Sequence, residues 1–315
     1  MNFLFINVCG INRRLKYPEF EELISEHDII GFVETKTDDY DTIDVDGYIF
    51  KMKNRKKISN RKSGGIVLGF KEKLKKHIKV FDTDCNFVLW LSLSAEYCKT
   101  EEDIIFGIVY VPPENTRYSS QEAFDQIENE LINFSSNHKY ICLCGDFNGR
   151  TGEDLDFTEN FEFDDENNLL EFIFDDSFKL EQIGVNLKRN SMDKNKNNFG
   201  NLFLQFCRQN SLFIFNGRIN GDLDGKFTCR NSSVVDYFIG STDLMNYVLS
   251  FNVGEFSSLF SDVHCHLSTK FDFIENENTL FENTVKIKKW TMKNMIISES
   301  TFSAMIRRIM LLIRF

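Results

Sequence analysis

The stretch Ile141–Arg150, ICLCGDFNGR, decides how the chain is read. Ile141, Cys142, Leu143 and Cys144 form a short apolar run, the pattern of a buried strand. Gly145 permits a tight turn and a close backbone approach. Asp146 and Asn148 follow two positions apart, and in extended chain residues i and i+2 face the same way. One carboxylate and one amide are then presented together at the carboxyl end of a buried strand, where α/β proteins place their sites. Asp, Asn and Gly are also turn residues, so the string reads as well as a strand closed by an Asx-type turn.

Outward from this stretch, strands recur. Towards the N-terminus they are expected over Phe3–Ile6, Ile29–Val33, Gly64–Phe70, Phe87–Leu93 and Ile104–Val111, the last stopped by Pro112-Pro113. Towards the C-terminus they are expected over Leu212–Phe215, Phe227–Arg230 paired with Val234–Ile239, Phe251–Phe256 and His264–Phe273. Amphipathic helices are expected at Glu19–Ile24 (entered by Pro18), Ser120–Phe134 and Asn201–Asn210. Strands outnumber helices yet helices recur between them, which predicts two packed sheets with helices outside. There is no internal repeat, and after Phe273 the core signal ends.

The chain has 315 residues, is 42% hydrophobic and carries 33 phenylalanines, enough for one large domain plus a tail. Its eight cysteines show no CxxC pair and no zinc spacing, so they read as reduced core thiols of an intracellular protein, cytoplasmic or nuclear. No signal peptide and no run of membrane-spanning length is present. A net charge of −11 argues against a generic nucleic-acid coat. The charge is uneven, however. Lys51–Lys79 holds twelve basic residues against Glu72, and Glu153–Glu181 holds twelve acids against Lys179. Such a basic segment can meet phosphates or be a solvated face.

Strand ends deliver Asn7, Glu34, Tyr110, Asp146, Asn148, Asp236, Asp262 and His264. This set holds acids, amides, a phenol and an imidazole, without a serine or cysteine nucleophile or a GxxxxGK phosphate loop. It suits metal-assisted attack of water on a phosphodiester. A hard divalent ion wants carboxylate oxygens, and Glu34 can supply one. Asp146 can orient or deprotonate the water. Asn7 and Asn148 can bond the transferring group without adding negative charge, and an imidazolium at His264 can stabilise developing charge. Asp236 is an acid inside the apolar strand VVDYFI, costly there unless paired, and it can hold the His264 ring. Each residue also has a plain structural reading: a strand end at Asn7, a charged loop at Glu34, a rim aromatic at Tyr110, a satisfied core histidine at His264 or His266.

The ordered blocks NVCGIN, FVETK, GGIVLGF, GIVYVPP, GDFNGRTG, FNGRINGD, GKFTCRNSSVVDYFIGS and SDVHCHLS resemble the endonuclease/exonuclease/phosphatase superfamily. They are most similar to the apurinic-type endonuclease domain of LINE (non-LTR) retrotransposon proteins, over about residues 1–272. The resemblance implies an α/β (α+β) DNase I-like four-layer sandwich, two mixed β-sheets flanked by helices, for residues 1–273, with 274–315 a linker-like tail rather than an independent domain. It implies a Mg²⁺-dependent (or Mn²⁺-dependent) endonuclease that nicks duplex DNA and leaves a 3′-hydroxyl, without membrane attachment. A reverse transcriptase would follow in the parent element and is absent from this chain. By motif, Asn7 and Glu34 match the amide and metal carboxylate, and Tyr110 the aromatic near the scissile phosphate. Asp146 and Asn148 match the GDFN pair, Asp236 the acid that pairs with the histidine, and Asp262 and His264 the terminal Ser-Asp-His block, with Asp262 at a catalytic and metal position. Thr228 matches a substrate-side hydroxyl. In the family pattern Asp and His are adjacent and Cys-Pro follows. Here Val263 separates Asp262 from His264, and His266 stands in place of the proline. One inserted residue turns a side chain to the other face unless a bulge absorbs it, which bears on Asp262 more than on His264. The alternatives are the same fold acting on RNA, an inositol phosphate or a phospholipid head group, and a catalytically dead element remnant.

Overall fold

Alternation of side chains along the strands builds two sheets and fixes which residues reach the site. The computed structural model describes residues 1–55, 62–158 and 177–273. The tail 274–315 and parts of the basic and acidic segments (56–61 and 159–176) lie outside the described residues. In chain order the strands are β1 (Asn2–Asn7), β2 (Ile29–Val33), β3 (Tyr48–Lys53), β4 (Ile66–Lys71), β5 (Ile78–Phe81), β6 (Val88–Leu93), β7 (Ile104–Tyr110), β8 (Ile141–Asp146), β9 (Leu212–Ile214), β10 (Asp236–Ser241), β11 (Val248–Val253) and β12 (Leu267–Phe271). One six-stranded sheet has the order β11-β12-β1-β2-β4-β3, the other β5-β6-β7-β8-β10-β9. Each is mixed: β1 and β2 are parallel in the first and β7 and β8 in the second, while the other pairings are antiparallel.

Phe3 and Phe5 of β1, Ile104, Phe106 and Ile108 of β7, Cys142 and Cys144 of β8 and Phe238 of β10 face inward and form the core between the sheets. Their neighbours face outward. Leu4, Ile6, Ile30 and Phe32 pack under the helix Pro18–Ser25 through Phe20, Leu23 and Ile24. Ile105, Val109, Leu143 and Ile239 pack under the helices Ala123–Ser135 and Asn198–Gln209. The result is helix, sheet, sheet, helix, as the sequence predicts.

The inward series end in polar residues at one end of the sandwich. Phe3, Phe5 and then Asn7 lead out along β1. Ile104, Phe106, Ile108 and Tyr110 lead out along β7, and Cys142, Cys144 and Asp146 along β8. Phe238 is preceded two residues earlier by Asp236 at the start of antiparallel β10. Register makes these ends coincide, since Tyr110 and Asp236 both lie opposite Asp146. The intervening residues anchor them from the outer face. Phe147 and Tyr237 stack on Phe203 of the helix Asn198–Gln209, with ring centroids 4.4 and 4.8 Å apart. Gly145 is required there: a Cβ would come within 2.4 Å of the Val109 carbonyl oxygen.

Several expectations change in detail, the strand expected over Val234–Ile239 running from Asp236 to Ser241 and pairing with β8 and β9. The helix expected at Asn201–Asn210 begins at Asn198, because Asn197 caps it by accepting from the Gly200 N–H. The strand expected over Phe227–Arg230 shrinks to bridges at Cys229, since Arg230 and Asn231 both take positive φ and close the turn at once. The strand expected at Phe251–Phe256 runs from Val248 to Val253, and the last strand starts at Leu267, not His264. The structure adds two short edge strands, β3 and β5, whose alternation (Phe50-Lys51-Met52-Lys53 and Ile78-Lys79-Val80) spans only a few residues inside the basic segment. All eight cysteines are free. Among the described residues no helix is long and apolar enough to cross a membrane.

Candidate active site

At the strand ends a buried network joins the two sheets. Asn7 Nδ2 donates to Asp146 Oδ2 at 2.8 Å, and Asn7 Oδ1 accepts from the Cys9 N–H at 3.2 Å. Asp236 Oδ2 lies 2.9 Å from His264 Nδ1, and His264 Nε2 lies 3.9 Å from Asp146 Oδ2. The imidazole therefore stands between two carboxylates. The Tyr110 hydroxyl donates to Glu34 Oε1. Glu34 follows β2 with φ +51°, which breaks the strand alternation and re-aims its side chain. Its other oxygen is 3.7 Å from Lys36 Nζ.

Asp146 and Asn148 do come together, by the turn rather than by extended chain. The Asn148 N–H donates to Asp146 Oδ1 at 3.0 Å and Asn148 has φ +49°. Asn148 Nδ2 donates to the Val111 carbonyl at 2.8 Å, which fixes the amide beside Tyr110 and Pro112.

Burial and neighbouring charge set the protonation states. Burial pushes the Asp146 carboxyl up, to about 7, aided by the negative charge of Asp236 and opposed by His264 and the Asn7 bond. Burial alone would lower the His264 pKa, but Asp236, then Asp146 and Glu34, carry it up to about 9. The Tyr110 phenol is held protonated by burial and by the charges of Glu34 and Asp146.

Two residues named from the sequence sit elsewhere. Asp262 turns away from the histidine: its Oδ1 accepts from Arg14 Nη2 at 2.6 Å and Arg13 Nη1 at 3.2 Å. Val263 stands between Asp262 and His264, and Ser261 Oγ accepts from the N–H groups of both Val263 and His264, which closes the loop before the histidine. Thr228 is fully buried, and its hydroxyl oxygen accepts from the N–H groups of Val235 and Asp236 at 3.1 Å each. It holds the Asp236 backbone rather than facing substrate. His266 lies outside the network, against Phe260.

Sequence reading missed Asn216, Ser261 and Arg14. Asn216 brackets Asp236, its Nδ2 donating to the Asp236 carbonyl and its Oδ1 accepting from the Phe238 N–H. The block FNGR containing it was the available signal.

For a metal, the described residues offer two donor sets. Asp146, Asp236 and His264 present ligand atoms within 4.8 Å of one another. That triangle is already closed by the Asp236–His264 bond, and a ring carrying its proton to about pH 9 is a poor ligand. Glu34 and Asn7 Oδ1 offer oxygens alone, which fits a hard divalent cation that keeps several waters. The excess of buried carboxylate, with Asp236 Oδ1 lacking a hydrogen-bond partner among the described residues, also fits a cation nearby.

A family model described as the Endonuclease/Exonuclease/phosphatase family matches residues 4–174, over half of the chain. The chain belongs to the endonuclease/exonuclease/phosphatase family. That match includes Asn7, Glu34, Tyr110, Asp146 and Asn148, whereas Asp236 and His264 join the site through the fold alone. Solved structures with this family's fold include the 3′ phosphatase NExo from Neisseria bound to a product DNA hairpin (14% identity, TM-score 0.57, 86% of this chain and 99% of that one). They also include the AP endonuclease LMAP from Leishmania major (16%, TM-score 0.57, 85% and 86%). A third is the endonuclease domain of TRAS1, a telomere-specific non-LTR retrotransposon (12%, TM-score 0.53, 86% and 98%). Comparison with curated proteins finds no match. This endonuclease/exonuclease/phosphatase chain thus has a two-sheet fold whose strand ends carry an imidazole between two carboxylates.

Proposed function

We propose that this chain is a divalent-metal-dependent phosphodiesterase that nicks duplex DNA as the endonuclease of a LINE-type element, residues 1–273 forming its catalytic domain. The observation that carries this is the His264 ring set between two carboxylates, Nδ1 2.9 Å from Asp236 Oδ2 and Nε2 3.9 Å from Asp146 Oδ2, with Asp146 itself oriented by Asn7.

Water attacks the backbone phosphorus and the P–O3′ bond breaks; the departing 3′-oxygen takes a proton from solvent water, leaving a 3′-hydroxyl and a 5′-phosphate. Asp146, with a pKa near the working pH, takes the proton of the attacking water. Asn7 and the Asn148 N–H hold its two oxygens, so the carboxylate does not rotate. The His264 imidazolium donates to a non-bridging phosphate oxygen and stabilises the charge of the transition state. Tyr110 fixes the Glu34 carboxylate. Glu34 and Asn7 would hold a magnesium or manganese ion, which when bound supplies charge neutralisation at the phosphate. The solved structure of NExo on a DNA hairpin and the TRAS1 domain support DNA as the polymer.

Supercoiled-plasmid nicking tests the reading. The full chain with Mg²⁺ or Mn²⁺ converts supercoiled to open-circular DNA, EDTA stops it, and Asp146→Ala and His264→Ala each abolish it. Folded parent protein that leaves the plasmid intact with either metal sinks the proposal.

A further inference from the structure

Over the face of Tyr110 stands a cation that the sequence places only within a general basic segment. Arg55 Cζ lies 5.0 Å from the Tyr110 ring centroid and 5.0 Å from that of Tyr118. A guanidinium between two aromatic faces gains from both ring quadrupoles and loses rotational freedom. Gly64, with φ +62°, lies alongside: a Cβ there would come within 2.4 Å of Arg55 Cζ, so any larger residue would push the guanidinium from this position. Arg117 Cζ lies 4.8 Å from the same Tyr118 ring, which places a second positive charge on this shelf.

The shelf borders the reacting centre. The Tyr110 hydroxyl is bonded to Glu34 and its backbone lies opposite Asp146. The Arg55 charge is felt there, lowering the Tyr110 pKa against the upward push of burial and the two carboxylates. Glu34, Asp146 and Asp236 would repel an arriving phosphodiester, and a fixed guanidinium beside them offsets that repulsion. Stacking pins the plane of the guanidinium while its N–H edges keep the fork that matches two phosphate oxygens.

We propose that Arg55, clamped between Tyr110 and Tyr118, anchors a backbone phosphate flanking the scissile bond. This rests on the reading of the chain as a DNA-nicking enzyme. The test compares the full-length parent with Arg55→Met, which keeps stacking bulk without charge, and Arg55→Lys, which keeps charge without the fork. Duplex binding is measured in EDTA across a salt series, and nicking with Mg²⁺ as kcat and KM. Each phosphate contact contributes about −0.9 to the slope of log affinity against log salt. Arg55→Met is expected to lose about one contact's worth of slope, to bind about tenfold more weakly on unrelated sequences, and to raise KM more than it lowers kcat. Arg55→Lys is expected to keep the slope with part of the affinity. Arg55→Met with the parent's slope and KM overturns the proposal, as does a fall in kcat alone, which would mean that Arg55 only props Tyr110. A parent that binds but does not nick, with the slope still reduced in Arg55→Met, overturns the enzymatic reading and leaves the anchor standing. A parent that does not bind duplex at low salt overturns both.

Discussion

Asn7 Nδ2 donates to Asp146 Oδ2 at 2.8 Å, and this bond ties β1 of one sheet to β8 of the other at the end that carries the site. It does two things at once: it orients the carboxylate and it offsets part of the rise that burial imposes on the Asp146 pKa. Asn7→Ala is therefore expected to lower the nicking rate by about 10²–10⁴-fold, the span of a positioned acid–base group. It should also move the acid limb of the pH–rate profile upward. The same limb and rate as the parent would show that Asn7 is only a strand end.

The basic limb is expected to belong to His264. Its proton is retained to about pH 9, because Asp236 outweighs the cost of burying the charged ring. Cleavage is expected to hold to about pH 9 and then decline as the imidazolium is lost. Asp236→Asn removes the counter-charge while burial remains, so the limb should move down and activity at pH 8 should fall. NMR titration of the His264 ring in parent and variant reads the same shift without turnover. An unmoved titration would exclude Asp236 as its cause.

How far the site was legible follows from how its residues are reached. Phe3, Phe5, Asn7 and Cys142, Cys144, Asp146 obey a period of two, so the sequence alone places both polar residues at the inner strand ends. Asp236 was legible by conflict, an acid in an apolar strand, and its pairing with His264 meets that conflict. Asp262 and Arg55 were not legible in this way. Asp262 meets Arg14, 248 positions away in sequence, and Arg55 meets Tyr110 and Tyr118, and no local pattern encodes contacts of that range. The edge strands β3 and β5 are less legible because each is short and only partly buried, its apolar residues Ile49, Ile78 and Val80 alternating with lysines of the basic segment.

Asp262 is expected to matter for stability more than for chemistry. Arg14 is fully buried and donates to the carbonyls of Val8 and Ser258 as well as to Asp262, whose side chain is 48% exposed. Asp262→Ala leaves one end of a buried guanidinium without its carboxylate. We expect a loss of about 1 kcal/mol, less than a buried charged hydrogen bond contributes, because water screens the Asp262 side. That corresponds to a fall in Tm of about 2–4 °C for a chain of this size. The nicking rate of the folded protein should stay near that of the parent. A collapse of activity with unchanged Tm would return Asp262 to the reacting centre.

His266 should make the fold sensitive to acid well above the carboxylate range. Burial, with a smaller push from His27, lowers its pKa from 6.5 to about 4, and its Nδ1 is buried without a hydrogen-bond partner among the described residues. Between those two values the unfolded chain binds a proton that the folded chain refuses. Stability from the neutral ring is therefore fully present above pH 6.5 and is lost as pH falls towards 4. His27 is lowered too, again by burial, and acts in the same direction. Urea midpoints at pH 7.5, 5.5 and 4.5 are expected to fall steeply in the parent. His266→Gln should fall less, the difference approaching about 3 kcal/mol at most by pH 4. Parallel curves for parent and variant would mean that the ring takes its proton in the folded state, in contact with solvent.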